Sequence, residues 1–441
     1  MVIVSELVNS ESGATSSSVP AELLRPLGAF ERLYHRYQEK STMHFSVVAE
    51  LAQDLEPAAL ESALRQVQQR HPLLNVQVEE HPPGRLGFYR PLTVPPIPLT
   101  VVEPRKGQTW RDVVAEELTR PVDTSRAPMV RVTLLRAGSG AAAAIVLTVA
   151  HVIVDGLSAG FIMRDLFSVL NGHELAALSV PPSQEDLIGG LGTVELSTSA
   201  VAGTPEREPE WSAASGAVRP FDGTRPEVSS VDFGVDLTQR LIARSRFEGT
   251  TVHSALVAAM STVIIDSGRN EFVRVLSPFS FRSHIGVTDE VCLYFTATRT
   301  AFRRGQVTGL WSMARAIGRQ LAVARSAANV RAISAATERF IGVDATTQDA
   351  AAFLLGGLSY EAFASNLGVL ELAPFDVAVR PVAFWGPAIL CQVDGELATG
   401  ISTYDGRLRM VSASYDPLSG YLERVRDVVD EASQPFRNER C

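Results

Sequence analysis

Cysteine, excess positive charge and long apolar runs are all scarce in this chain. Its three cysteines, Cys292, Cys391 and Cys441, lie far apart in 441 residues. They build no disulfide framework, and with no Cys-x-x-Cys pair they offer no cysteine-based zinc site. Such usage fits a reducing compartment, so the expected location is the cytoplasm. The 40 Lys and Arg stand against 49 Asp and Glu, a net charge of −9. Without a basic stripe the chain has no electrostatic footprint for phosphate, which excludes nucleic acid as a partner. No window reaches the roughly 18 uninterrupted apolar residues of a membrane-spanning helix. Met1 to Pro20 lacks the basic-then-apolar order of a secretory signal, so residues 1–24 are expected to be a disordered tail.

What is present is a globular composition, 46% hydrophobic and 20% charged, too long for one comfortable core; two domains are expected. Periodicity places a strand at Met43 to Leu51 and a helix at Pro57 to Arg70, whose Leu60, Leu64 and Val67 share a face. His71-Pro72 stops that helix, because the residue before proline is pushed out of the α region, and Asn75 to Val78 reads as a second strand. Met129 to Arg136 and Ala141 to Val149 read as a hairpin around Ala137-Gly138-Ser139-Gly140. Leu157 to Leu170 reads as a helix stopped by Asn171-Gly172. Over 179–230 the pattern dissolves into Pro, Ser, Gly, Glu and Thr, the expected linker. It returns as a helix at Thr250 to Ser267, a strand at Phe272 to Ser277, a hairpin around Asp405-Gly406 and a closing helix at Leu418 to Ala432. Both halves mix strands with helices, an α/β (α+β) class with domains at 25–178 and 231–441.

Chemistry concentrates in Ile145 to Gly156, Ile-Val-Leu-Thr-Val-Ala-His-Val-Ile-Val-Asp-Gly. This near-continuous apolar strand delivers one imidazole, His151, into a strand-to-helix turn, with Asp155 and Gly156 following. A histidine held at a strand end suits a general base, since its unperturbed pKa lies nearest neutrality; it also suits a packed core residue. Asp155 reads equally as a helix N-cap. A metal site is not expected, because His151 and Asp155 lack a third partner.

The His-x-x-x-Asp-Gly spacing of His151, Asp155 and Gly156 resembles the condensation-domain and acyltransferase superfamily, which includes nonribosomal peptide condensation domains, polyketide-associated acyltransferases and plant BAHD acyltransferases. Further stretches are similar in order and distance: Arg70-His71-Pro72-Leu73-Leu74, Pro121 to Arg131, Ser277-Pro-Phe-Ser-Phe-Arg282 and Ser365-Asn366-Leu367-Gly368. Many members carry a second histidine just before the first; here that position is Ala150. The plant enzymes' Asp-Phe-Gly-Trp-Gly stretch has only Ala383-Phe384-Trp385-Gly386 as its nearest equivalent, and Trp385 reads as core or tunnel wall.

The resemblance implies two chloramphenicol-acetyltransferase-like domains forming a pseudo-dimer around a central tunnel. It implies His151 as the catalytic base, Asp155 paired with Arg282 and Gly156 as structural support, and Ser365, Asn366 and His284 as possible tunnel or oxyanion contacts. The implied function is that of a standalone acyltransferase in natural-product or lipid chemistry. It would move an acyl group from coenzyme A or a phosphopantetheinyl acyl carrier protein to a hydroxyl or amine of a small molecule. The thioester is substrate, and no bound cofactor is implied. Two alternatives stay open: a non-catalytic condensation-like module that recruits a partner protein, favoured by Ala150, and a cyclisation or dehydration on the same scaffold. His253, in an apolar helix, reads as core.

Overall fold

The computed structural model describes residues 21–81, 85–137, 142–190, 217–306, 309–357, 359–374 and 377–434. In the N-terminal half the strands are β1 (Glu22–Pro26), β2 (His44–Leu51), β3 (Gln77–His81), β4 (Arg85–Arg90), β5 (Leu99–Val102), β6 (Val130–Leu135) and β7 (Ala143–Ala150). In the C-terminal half they are β8 (Glu227–Asp232), β9 (Phe272–Ser280), β10 (Phe295–Arg303), β11 (Ala362–Val369), β12 (Pro381–Ile389), β13 (Leu397–Tyr404) and β14 (Arg407–Ser414). Two large mixed sheets organise the molecule, one in the order β12-β2-β7-β6-β5 and one in the order β10-β9-β11-β13-β14-β8, beside a small β1-β4-β3 sheet. Each large sheet carries its own apolar core. Among the described residues no single helix is long and apolar enough to cross a membrane.

Where local rules govern, residue type sets the element. The helix Pro57–Arg70 starts on a proline, whose missing N–H is an orphan at that position in any helix, and buries Leu60, Leu64 and Val67. The tight link between β13 and β14 places Asp405 at φ 53° and Gly406 at φ 68°, the two left-handed residues such a hairpin needs. The helix Gly156–Leu170 begins where Asp155 Oδ1 accepts the Ser158 amide at 2.7 Å.

Several expectations are corrected. The tail assigned to 1–24 overlaps β1, which begins at Glu22 and pairs antiparallel with β4; residues 1–20 lie outside the described residues. The linker assigned to 179–230 contains the helix Gln184–Gly189 and the start of β8, while residues 191–216 are likewise outside. Pro72–Asn75 is a 3₁₀ turn, so the strand expected at Asn75 to Val78 starts at Gln77. The helices Ala29–Gln38, Gly234–Phe247, Leu310–Ala324 and Ala327–Phe340 add to those that the pattern predicts. β6 and β7 do pair as antiparallel neighbours, although their turn lies outside the described residues.

The division at 230 also fails in one respect that matters for the site. β12 leaves the C-terminal half and pairs with β2, completing the N-terminal sheet. To do so it crosses β13 so closely that a Cβ built on Gly400 would lie 2.0 Å from the Pro387 carbonyl oxygen and 2.7 Å from its nitrogen. Backbone on backbone cannot yield as a side chain can, so glycine is the residue that permits the crossing. Gly400→Ala should therefore destabilise the protein by about 1–3 kcal/mol, the usual cost of overpacking; an unchanged thermal unfolding midpoint would refute this account.

Candidate active site

The apolar run Ala143–Ala150 is the central strand β7, flanked by β2 and β6 and buried along its whole length, which is why it lacks polar alternation. His151 follows directly in a turn, its amide bonded to the Met43 carbonyl at 2.9 Å. The imidazole Nδ1 lies 2.9 Å from the Val154 carbonyl oxygen. A carbonyl only accepts, so Nδ1 carries the proton and Nε2 keeps the lone pair. Three aromatic rings surround it: Tyr34 at 4.5 Å, Phe45 at 4.9 Å and Phe295 at 5.5 Å, the last stacked within 14°. Burial in this setting pushes the His151 pKa from 6.5 down to about 4, a shift that the nearby Asp155 charge only partly offsets. The imidazole is neutral at physiological pH.

Asp155 does two jobs at once. Oδ1 caps the helix Gly156–Leu170, while Oδ2 accepts from Arg282 Nη2 at 3.0 Å and from the Tyr294 amide at 3.0 Å. Arg282, buried like its partner, also donates to Ser158 Oγ at 2.7 Å and to the Glu290 carbonyl at 2.8 Å, with its guanidinium over the rings of Phe161 and Tyr294. The helix cap and the ion pair, alternatives on the sequence, coexist. Arg70 and His71, at the end of the helix Pro57–Arg70, converge on Asp165 in the helix Gly156–Leu170 at 2.6 and 2.9 Å. The helix behind His151 is thus tied to both halves of the chain.

Between the halves lies a cavity of about 560 Å³, part of it open to solvent, that brings together His151, Asp155, Gly156, Ser365 and Asn366 with Phe295 and Pro387. A Cβ on Gly156 would meet the Leu367 side chain at 2.6 Å, so the glycine lets β11 approach the turn that carries His151. Asn366 lines the cavity while its Oδ1 accepts the Gly368 amide at 2.8 Å. His284 is not part of this constellation: it is exposed, its Nε2 lies 2.9 Å from the Arg325 carbonyl oxygen, and it does not line the cavity. Arg282 opens the short helix Arg282–Ile285, which holds His284 at its third residue. His253 is buried in its helix, and Trp385 is buried against Trp110 with its Nε1 donating to Glu50 at 2.5 Å. Among the described residues no group of three or more His, Cys, Asp or Glu side chains could hold a metal ion. Sequence reasoning missed Tyr34 and Phe295; the only signal for Tyr34 was the spacing of Phe30, Leu33, Tyr34 and Tyr37, which marks one helix face.

Removing either member of a buried ion pair strands the other charge, at a cost of about 3–5 kcal/mol. Asp155→Asn and Arg282→Ala should each lower the unfolding midpoint sharply, while the double substitution should cost less than their sum; strict additivity in a double-mutant cycle would dissolve the pair. Stability should also depend on pH through His44, His151 and His253, each pushed down to about 4 by burial. The unfolded chain takes up protons below about 6.5 and the folded one does not, so stability is full above that pH and is lost as pH falls toward 4. Denaturant titrations across this window measure the slope.

A family model described as Condensation domain matches residues 32–188. A linear gramicidin synthase from Brevibacillus parabrevis is 27% identical over 250 residues, 52% of this chain and 5% of that protein. Tyrocidine synthase 3 from the same organism is 27% identical over 188 residues, 39% of this chain and 3% of that protein. The matched stretch is therefore a small fraction of either relative. Among solved structures, polyketide synthase associated protein 5 from Mycobacterium tuberculosis superposes with a TM-score of 0.64 at 15% identity, covering 95% of this chain and 99% of that one. The first condensation domain of the CDA synthetase gives 0.64 at 13% identity, with 95% and 97% covered. The epimerization domain from the third module of tyrocidine synthetase B gives 0.62 at 14%, with 95% and 96% covered. The family match lies on the half that carries His151, so residues 32–188 are similar to a condensation domain, and the two-lobed fold of these structures is shared along nearly the whole chain.

Proposed function

We propose that the protein is an acyltransferase that moves an acyl group from a thioester, on coenzyme A or a carrier protein, to a hydroxyl or amine of a small molecule. The observation that carries this reading is His151: a neutral imidazole at the wall of the inter-lobe cavity, with Nδ1 anchored on Val154 and the lone pair left on Nε2. A thioester is already activated, so no covalent enzyme nucleophile is needed. The acceptor heteroatom attacks the thioester carbonyl carbon as its proton passes to His151 Nε2. The C–S bond then breaks, and the same proton returns to the departing sulfur. Ser365 and Asn366, on β11 across the cavity, are the side chains disposed to hydrogen-bond the oxyanion. Asp155 and Arg282 act through His151 by holding its turn.

The carrier-protein donor is supported by the match to condensation domains and by the relatives, which are a gramicidin synthase and a tyrocidine synthase by name. A cyclisation with His151 in the same proton-transfer role is the second reading, since a cyclization-docking bidomain shares the fold with a TM-score of 0.61.

His151→Ala should lower turnover of a thioester panel by about 10²- to 10⁴-fold with melting close to wild type, read by mass spectrometry of products; full turnover would end this reading. Because burial pushes the base down to about 4, kcat/KM should stay level from neutral pH to well below 6.5 and fall only as His151 protonates. An acid limb at the ordinary histidine value would contradict the buried, neutral base.

A further inference from the structure

Behind the wall of the active cavity lies a second chamber, of about 810 Å³ with part of it open to solvent. The two cavities share Pro278, Phe295 and Phe363, so a single layer of side chains separates them. Two of the three rings around His151 belong to this chamber, Phe295 and Tyr34, and Ile333, Leu354 and Ala297 also line it. None of its lining residues carries a charged side chain. Three of its hydroxyl groups are already committed: Tyr37 to the Cys391 carbonyl at 2.5 Å, Tyr360 to Glu396 at 2.9 Å and Thr337 to the Ile333 carbonyl at 3.0 Å. The Cys391 thiol is held protonated by burial.

From this arrangement we infer that the chamber holds the hydrocarbon chain of an aliphatic acyl donor, which enters past Phe295 and Tyr34 while its carbonyl stays beside His151. The inference rests on the acyl-transfer reading and narrows its donor to acyl groups with an extended apolar chain. A peptidyl or other polar group would bring several amides into a space lined mainly by apolar side chains, where Tyr37, Tyr360 and Thr337 already hold other partners and the hydroxyls of Tyr34 and Thr296 are too few to pair them; each amide left unpaired is costly. A methylene gains about 0.8 kcal/mol on leaving water, so affinity should rise about fourfold per carbon until the chamber is full. Ala297, on β10 and only partly buried, is the residue whose enlargement occupies the chamber without touching the described catalytic constellation.

The test uses S-alkyl pantetheine thioethers, from methyl to dodecyl, as unreactive probes shared by coenzyme A and carrier-protein donors. Calorimetry with the full chain should show affinity climbing with chain length. Ala297→Trp should flatten the climb, weakening the longest probe by about tenfold or more and leaving the methyl probe unchanged. Affinity independent of chain length, or a climb that survives Ala297→Trp intact, would overturn the inference. A climb abolished by Ala297→Trp in a protein that turns over no thioester would uphold the chamber and instead overturn the acyl-transfer reading, so the two fail separately.

Discussion

The buried contact between Asp155 and Arg282 is the constraint on which the candidate site depends. It joins residues 127 apart, one at the start of the helix behind His151 and the other opening the short helix that follows β9. Its carboxylate is shared among a helix cap, a guanidinium and the Tyr294 amide. Each additional donor offsets part of the desolvation that makes an isolated buried pair a weak source of stability. Because the guanidinium also reaches Ser158 and the carboxylate also takes the Tyr294 amide, moving one lobe relative to the other breaks several charge-assisted bonds together.

His151 inherits its geometry from that anchor and its electrostatics from its neighbours. The Val154 carbonyl selects the tautomer, and the rings of Tyr34, Phe45 and Phe295 exclude water, which disfavours the charged imidazolium. A neutral base is the form in which an imidazole can take a proton. Ala150, at the position where the resemblance leads one to expect a second histidine, is fully buried in β7 opposite His44, whose own Nε2 lies 3.0 Å from the Glu117 carbonyl oxygen. The proposed chemistry therefore falls to a single imidazole with apolar support.

The crossing of β12 onto β2 explains why the cavities lie between the lobes. Pro387 and Ile389, at the end of that strand, form part of the wall opposite His151, so one segment both completes the N-terminal sheet and shapes the site. Gly400 permits the crossing, and Phe295 at the start of β10 divides the space that results. Packing, rather than any single motif, gives this interior its two compartments.

Local features were legible in the amino-acid order because local rules govern them. Helical period and a leading proline set Pro57–Arg70, the Asp405-Gly406 pair sets the β13–β14 turn, and an apolar run followed by His151, Asp155 and Gly156 sets a strand, a turn and a capped helix. Those rules read Asp155 as a helix cap, the resemblance implied an ion pair, and the fold shows both. Only the tertiary structure decided that His284 faces away while Tyr34 and Phe295 enclose the imidazole, that β12 belongs to the other sheet, and that a second chamber opens behind the first. Each of these rests on contacts between segments far apart in the chain, and such contacts leave no periodicity or turn chemistry at either end for the sequence to display.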